Sequence, residues 1–189
     1  VLLLAWAPKA ACVTKSGEIV EDTYWGPEGS PYKIASPGLF VMEGARLTIF
    51  NSVVLCEYQT CLSVRGELNA TNCFIGKRTE VRGTNRKDTV AIQHANSDTS
   101  SVVDLDNVVI RSVATAVSMM CCNSDQKTFI RRSVIDDVNY GISGYTGIRA
   151  NSVIENSVVM YSDLGGGEAD HSYNNVLFYR NSLASSEER

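Results

Sequence analysis

The chain has 189 residues, which is enough for one domain with a buried core. Its 17 basic and 21 acidic residues give a formal net charge of −4, so there is no reason to expect a nucleic-acid partner. Apolar residues make up 44% of the chain, but no apolar run reaches the ~20 residues of a membrane-spanning helix, and we expect no transmembrane segment.

The chain begins with an apolar stretch. Residues 1–7 (VLLLAWA) resemble the end of a secretory hydrophobic segment with an Ala-x-Ala site. The favoured alternative is that residues 1–13 are structural and cap the open end of a stacked fold, since terminal repeats must shield bare strands.

Residues 14–37 hold three of the four prolines and predict an irregular lead-in with one short strand near residues 18–20. Its aromatic residues Tyr24, Trp25 and Tyr32 form either an exposed face for sugar stacking or a packing contact onto the first repeat. Packing is favoured, because large aromatic side chains tend to be buried.

From residue 38 onward, a unit of two short apolar strands around one polar residue recurs. The copies are residues 47–54, 68–75, 103–110, 128–135, 152–159 and 177–184. Their central residues, spaced 21 to 35 apart, are Asn51, Asn72, Asn107, Arg132, Asn156 and Asn181. A further apolar strand precedes the units at residues 39–42, 62–64, 90–92, 116–119 and 141–143. Such a period predicts a β-solenoid with three strands per turn.

This repeat, with asparagine at the bend between its second and third strands, resembles the right-handed parallel β-helix of the pectin-lyase-like superfamily. The resemblance covers residues 38–183 and implies an all-β, single-stranded right-handed parallel β-helix (β-solenoid) of about six coils. Residues 1–37 would then be the N-terminal cap and lead-in, residues 38–184 the β-helix and residues 185–189 a polar tail.

In that fold the bend asparagines adopt a left-handed backbone and their side chains stack as a hydrogen-bonded ladder. The resemblance implies that the ladder consists of Asn51, Asn72, Asn107, Asn156 and Asn181. We expect it to break or be capped at Arg132, which departs from the pattern.

A basic insertion follows the second copy at residues 76–88 (GKRTEVRGTNRKD). Superfamily enzymes that cleave acidic polysaccharides use a groove on the first-strand face, beside loops of this kind. The resemblance therefore implies a patch that binds a uronic acid chain through bidentate arginine contacts. The candidate ligand-binding residues are Arg65, Arg78, Arg82, Arg86, Lys87 and His94. The favoured alternative is a solvated loop whose charges offset Glu80 and Asp88.

Paired carboxylates occur at Asp136 with Asp137 and at Asp104 with Asp106. The superfamily's polygalacturonases combine an Asp-Asp with three further motifs that are not found in this chain, so solvent-facing acids on a strand edge are favoured over a catalytic pair. The first strands carry no carboxylate, which argues against a calcium-dependent lyase. His171 follows a glycine-rich run and is either an acid–base or metal group or, as favoured, a loop histidine. We assign no catalytic residue, metal or cofactor.

Six cysteines are present, with no zinc-binding spacing. Cys56 and Cys61 flank one loop and are candidates for a small disulfide, whereas Cys73 replaces the serine of other copies and is predicted to be a small core residue. Residues 121–122 are either a vicinal pair or bridge elsewhere, and Cys12 stays unassigned. The cysteine content permits an oxidising compartment, so a secreted or extracellular location is favoured without being fixed.

Taken together, the sequence favours a non-catalytic β-helix module with a rigid surface for a carbohydrate partner, a protein partner or a larger assembly. The alternative is a polysaccharide lyase or glycoside hydrolase that acts on an acidic glycan in the first-strand groove, near Arg65, Arg82, Arg86 and His94.

Overall fold

The computed structural model describes residues 12–77, 89–95, 100–119, 126–144, 151–164 and 171–179. Apart from a single 3₁₀ turn at Pro27–Gly29, the regular elements of these residues are β-strands. The first eight are β1 (Val13–Ile19), β2 (Thr23–Trp25), β3 (Tyr32–Val41), β4 (Arg46–Phe50), β5 (Val53–Cys56), β6 (Thr60–Val64), β7 (Glu67–Thr71) and β8 (Phe74–Gly76). The others are β9 (Val90–His94), β10 (Val102–Asp106), β11 (Val109–Met119), β12 (Lys127–Arg131), β13 (Val134–Gly144), β14 (Asn151–Glu155), β15 (Val158–Leu164), β16 (His171–Asn174) and β17 (Leu177–Tyr179). A helix with the length and apolarity to cross a bilayer is not found in this part of the chain.

The strands form two parallel sheets in which each strand pairs with its counterpart in the next repeat. The seven-stranded sheet has the order β16-β14-β12-β10-β7-β4-β2, and we call its members the second strands. The ten-stranded sheet has the order β17-β15-β13-β11-β8-β5-β3-β6-β9, with β1 beside β3. The register is regular, since Leu47 pairs with Leu68 and Leu68 with Val103. This parallel stacking is consistent with a β-solenoid.

The larger sheet contains two kinds of strand. We call the segments that follow the asparagine bend the third strands: β5, β8, the starts of β11 and β13, β15 and β17. The segments that pair with β6 and β9 are the first strands: the ends of β3, β11 and β13, and β6 and β9 themselves. β11 and β13 each span both kinds, and they bend at Ser112 (φ 57°) and Asp137 (φ 58°).

The bends between second and third strands are left-handed. Positive φ angles of 49–55° occur at Asn51, Asn72, Asn107, Arg132, Asn156 and Asn175. Asn72 Nδ2 donates to Asn51 Oδ1 at 3.0 Å, and Asn107 Nδ2 donates to Asn72 Oδ1 at 2.8 Å. At Arg132 the backbone keeps the same bend, but the side chain turns to Asp106 instead of joining an amide ladder.

The last repeat differs from the sequence prediction. Its bend residue is Asn175, which donates to Asn156 Oδ1 at 2.8 Å, and β17 is a third strand that pairs with β15. Asn181, the predicted ladder residue, lies outside the described residues. The prediction failed because β16 reads HSYN and lacks the apolar alternation of the other second strands.

A second row of small residues follows the bends on the inside. The N–H of Val108 donates to Ser133 Oγ at 3.0 Å, and the N–H of Ser133 donates to Ser157 Oγ at 3.1 Å. Cys73 belongs to this row; it is buried, as predicted, and burial raises the pKa of its thiol. The row ties neighbouring repeats together on the inner side of each bend.

The interior is the apolar column that the alternation predicts. The largest fully buried side chains include Leu47, Ile49, Leu62, Leu68, Ile75, Ile92, Leu105, Ile110, Met119, Ile130 and Ile135. Burial of such side chains stabilises a fold by roughly 1.5–3 kcal/mol each.

Residues 14–37 are more regular than the sequence predicts, since they contain β2, most of β1 and the start of β3. Gly17 (φ 93°) and Gly38 (φ 101°) lie within or beside the parallel pairing of β1 with β3, so glycine here allows bends and does not end the strands. Trp25 and Tyr32 are buried and stack at 4.7 Å between ring centroids, as the packing interpretation predicts. Tyr24 is 58% exposed.

Cys56 and Cys61 form a disulfide, with Cα atoms 5.2 Å apart. Both cysteines are buried at the turn between a third and a first strand. Cys12 is a free, exposed cysteine, and residues 121–122 lie outside the described residues.

Candidate functional site

Of the predicted basic patch, Arg65 is the member that lies on the described surface. It is exposed and lines a cleft of about 360 Å³ together with Asp22, Glu43, Arg46 and Glu67. In this cleft Arg46 Nε donates to Glu67 Oε2 at 2.6 Å, and the Arg46 N–H donates to Asp22 Oδ1 at 3.0 Å. The hydrogen bond that Arg46 donates to the Glu67 carboxylate raises the pKa of Arg46. The cleft therefore mixes charges of both signs at the turns between first and second strands, and Arg65 is not part of a purely basic surface.

The remaining basic candidates, Arg78, Arg82, Arg86 and Lys87, lie outside the described residues.

His94 does not face the outer groove, and its predicted place in the surface patch is wrong. Its ring is fully buried, with Nδ1 2.7 Å from Ser101 Oγ and Nε2 2.8 Å from Thr128 Oγ1. It stands in the column formed with Val64 and Met119, because the alternation of β9 turns both Ile92 and His94 inward. Burial lowers the pKa of His94 to about 4, so the ring is neutral at pH 7.

The paired aspartates are also structural, and the prediction that Asp136 and Asp137 face solvent is wrong. Both are buried. Asp136 Oδ2 lies 3.2 Å from Arg111 Nε, and Asp137 Oδ2 accepts from Ser112 Oγ at 2.8 Å. Since Ser112 and Asp137 are the left-handed bends of β11 and β13, this hydrogen bond joins the corresponding corners of neighbouring repeats.

The outer face of the second strands carries ion pairs between repeats. Arg46 pairs with Glu67, Arg131 with Asp104 at 2.5 Å, and Arg132 with Asp106. The Arg131 guanidinium also lies over the Phe129 ring, 5.8 Å from its centroid. These carboxylates therefore bridge neighbouring strands, and exposed pairs of this kind contribute roughly 0–1 kcal/mol each.

The outer face of the first strands is mostly uncharged. Its aligned outward residues are Glu18, Phe40, Ser63, Gln93, Ser118 and Ser143. Thr60 Oγ1 donates to Gln93 Oε1 at 3.3 Å beside this row. Hydroxyl and amide groups predominate on this face.

The outer face of the third strands is apolar, which the sequence reasoning missed. Two residues after each bend an apolar side chain points outward, and register pairs these side chains into one line across six repeats: Val53, Phe74, Val109, Val134, Val158 and Leu177. We call this line the apolar stripe. Val53, Val109 and Leu177 are 36%, 37% and 58% exposed. The signal was present in the sequence as a bend residue, one intervening residue, and then Val, Phe or Leu.

A second outward row runs beside the apolar stripe, two residues further along each third strand. From Leu55 onward it is Leu55, Gly76, Arg111, Asp136, Met160 and Tyr179, and on the other side of Leu55 the register continues to Lys33 of β3. Arg111 pairs with Asp136, and Lys33 pairs with Glu57 at 2.8 Å, so each charge in this row has a partner within the chain.

A metal centre is not indicated: within the described ranges, no group of three or more His, Cys, Asp or Glu side chains is placed to hold an ion. In comparisons with protein families, curated proteins and solved structures, nothing matches this chain.

Proposed function

We propose that this chain is a non-catalytic module, built as a right-handed parallel β-helix, that binds or assembles with a partner through its third-strand face. The observation that carries the proposal is the apolar stripe. Exposed apolar surface that is continuous and ordered usually marks an interaction site, whereas single exposed apolar residues are normal. Here the apolar positions recur after every bend between a second and a third strand, from Asn51 to Asn175.

The positions of the ionisable side chains also support a non-catalytic module. General acid–base catalysis needs carboxyl or imidazole groups that can reach a substrate. His94 and Asp137 are fully buried in the stack, and Asp104 and Asp106 are held by arginines of the next repeat. The chemistry of these groups is directed inward or between repeats, while the third-strand face offers a rigid apolar surface.

The test combines a cleavage assay and a binding assay on one panel of acidic and neutral polysaccharides. The variants are Arg65→Ala, which alters the cleft, and Val109→Lys, which places a charge in the apolar stripe. We expect no cleavage above the level of the heat-unfolded chain, and any polysaccharide that the parent chain binds should be lost with Val109→Lys but kept with Arg65→Ala. Glycan cleavage that Arg65→Ala lowers would overturn the proposal in favour of the lyase or hydrolase.

A further inference from the structure

We propose that the apolar stripe is the interface between two copies of this chain, which pair face to face with their stacks antiparallel. The inference rests on the proposed function and names the partner that the third-strand face takes. A two-fold axis parallel to the strands, passing between Val109 and Val134, lays each copy's stripe on that of the other.

The first reason is that the stripe is complementary to its own reverse. About this axis Val53 meets the other copy's Leu177, Phe74 meets Val158, and Val109 meets Val134. Every position of the stripe therefore finds an apolar side chain opposite.

The second reason is the neighbouring row, which fixes the direction. In the antiparallel arrangement the partly exposed Arg111 of one copy lies opposite Asp136 of the other, which is buried beside its own Arg111, so the two ion pairs oppose each other with their charges alternating. Met160 meets Gly76, which has no side chain, and Leu55 meets Tyr179. An axis parallel to the stack and running along the stripe would instead place Phe74 against Phe74 and carry the second rows to opposite sides of the stripe, where their ion pairs do not meet. Because Arg111 and Asp136 already pair within each copy, burying this row leaves no unpaired charge.

The size of the face sets the strength of the dimer. Six strands at ~4.8 Å and three residues at ~3.3 Å give a contact of about 29 by 10 Å, or about 290 Å² per copy. A standard stable interface buries about 800 Å² per partner. The expected dimer is therefore reversible and concentration-dependent.

Sedimentation over a concentration series, from about 1 to 500 µM, tests the self-association. We expect a monomer–dimer equilibrium, with a dissociation constant that Val109→Lys raises about tenfold or more. Thr48→Lys, an outward change on the second-strand face, is the matched control and should leave the equilibrium unchanged. A chain that stays monomeric throughout the series, or a dimer that both variants weaken equally, overturns the proposal.

Cross-linking tests the direction. Val53→Cys and Leu177→Cys are prepared as separate chains, both with Cys12→Ser, and are oxidised alone and mixed. In the antiparallel dimer position 53 of one copy lies beside position 177 of the other, whereas the two copies of position 53 are about 24 Å apart. We expect disulfide-linked dimers in the mixture and only the background level of the Cys12→Ser parent in Val53→Cys alone. Equal linkage of Val53→Cys with itself would overturn the antiparallel arrangement.

The two proposals fail in different ways. A monomer that cleaves no glycan leaves the third-strand face as a surface for another partner and removes only the dimer. Glycan cleavage that depends on Arg65 removes the proposed function, whatever the oligomeric state.

Discussion

Acid should destabilise this protein through His94. The ring is fully buried between Ser101 and Thr128, and burial lowers its pKa from 6.5 to about 4. Between these two values the unfolded chain binds more protons than the folded protein does. The stability contribution of the neutral ring is therefore complete above pH 6.5 and is lost as the pH falls toward 4.

The magnitude follows from the size of the shift. Each pKa unit corresponds to about 1.36 kcal/mol, so a shift of about 2.5 units makes about 3 kcal/mol sensitive to pH, of which roughly 2 kcal/mol is lost by pH 5. This is a substantial fraction of the 5–15 kcal/mol that typically separates folded from unfolded protein.

The measurement is the free energy of unfolding in urea, at pH 7.5 and at pH 5, for the parent chain and for His94→Gln. Glutamine keeps polar groups beside Ser101 and Thr128 but does not titrate, so the variant should lose about 2 kcal/mol less than the parent between the two pH values. His171→Gln removes the other histidine of the chain and measures that residue's own share of the pH dependence. If the parent and His94→Gln lose the same free energy, the ring is not a buried neutral group and the reasoning is refuted.

Three further predictions concern the links between repeats. In chemical unfolding, Asn72→Ala should lower the unfolding free energy by about 2 kcal/mol more than Asn72→Gly, because glycine accepts the 55° φ angle that alanine disfavours. Equal losses in the two variants would mean that the bend imposes no strain on alanine. Replacing Cys56 and Cys61 together by serine should lower the unfolding free energy by ~2 kcal/mol, because their disulfide closes a short loop. Reduction of the parent should lower its melting temperature to that of the double variant, and no change in melting temperature on reduction would contradict this. Ser112→Ala should lower the unfolding free energy by about 1–3 kcal/mol, because the buried hydrogen bond to Asp137 is lost, whereas Asp104→Asn on the exposed face should lower it by about 1 kcal/mol or less. Comparable losses at both positions in thermal unfolding would contradict the burial of the hydrogen bond between Ser112 and Asp137.

The fold could be read from the sequence where its signals are local. Asparagine at a left-handed bend, with apolar alternation on both sides, marked Asn51, Asn72, Asn107 and Asn156, and the inward columns followed from a period of two. The last repeat escapes prediction because the polar strand His171–Asn174 lacks that alternation, and the sequence pattern instead predicts a second strand at Leu177–Tyr179.

The candidate site was harder to predict, because register between distant residues decides it. Asp136 and Asp137 read as surface acids until their pairing with β11 placed them beside Arg111 and Ser112, some 25 residues away. His94 read as part of a basic surface, although continuing the alternation two residues past Ile92 would have turned it inward.

The apolar stripe shows the opposite case. Each of its members looks like an ordinary strand residue, and only the alignment of six third strands joins them into a surface. Alternation within one strand turns each of these positions outward, but only the register between strands aligns them into one surface.

The most direct test of the account is the distance between spin labels at residues 53 and 158, attached through unnatural side chains and measured in a large excess of unlabelled chain. These positions are four pairings apart on the third-strand face, so parallel in-register stacking predicts a single backbone separation of about 19 Å. A narrow distribution consistent with that separation would support the continuous apolar surface on which both proposals depend. A mean separation beyond about 30 Å, or a distribution without a peak, would contradict it.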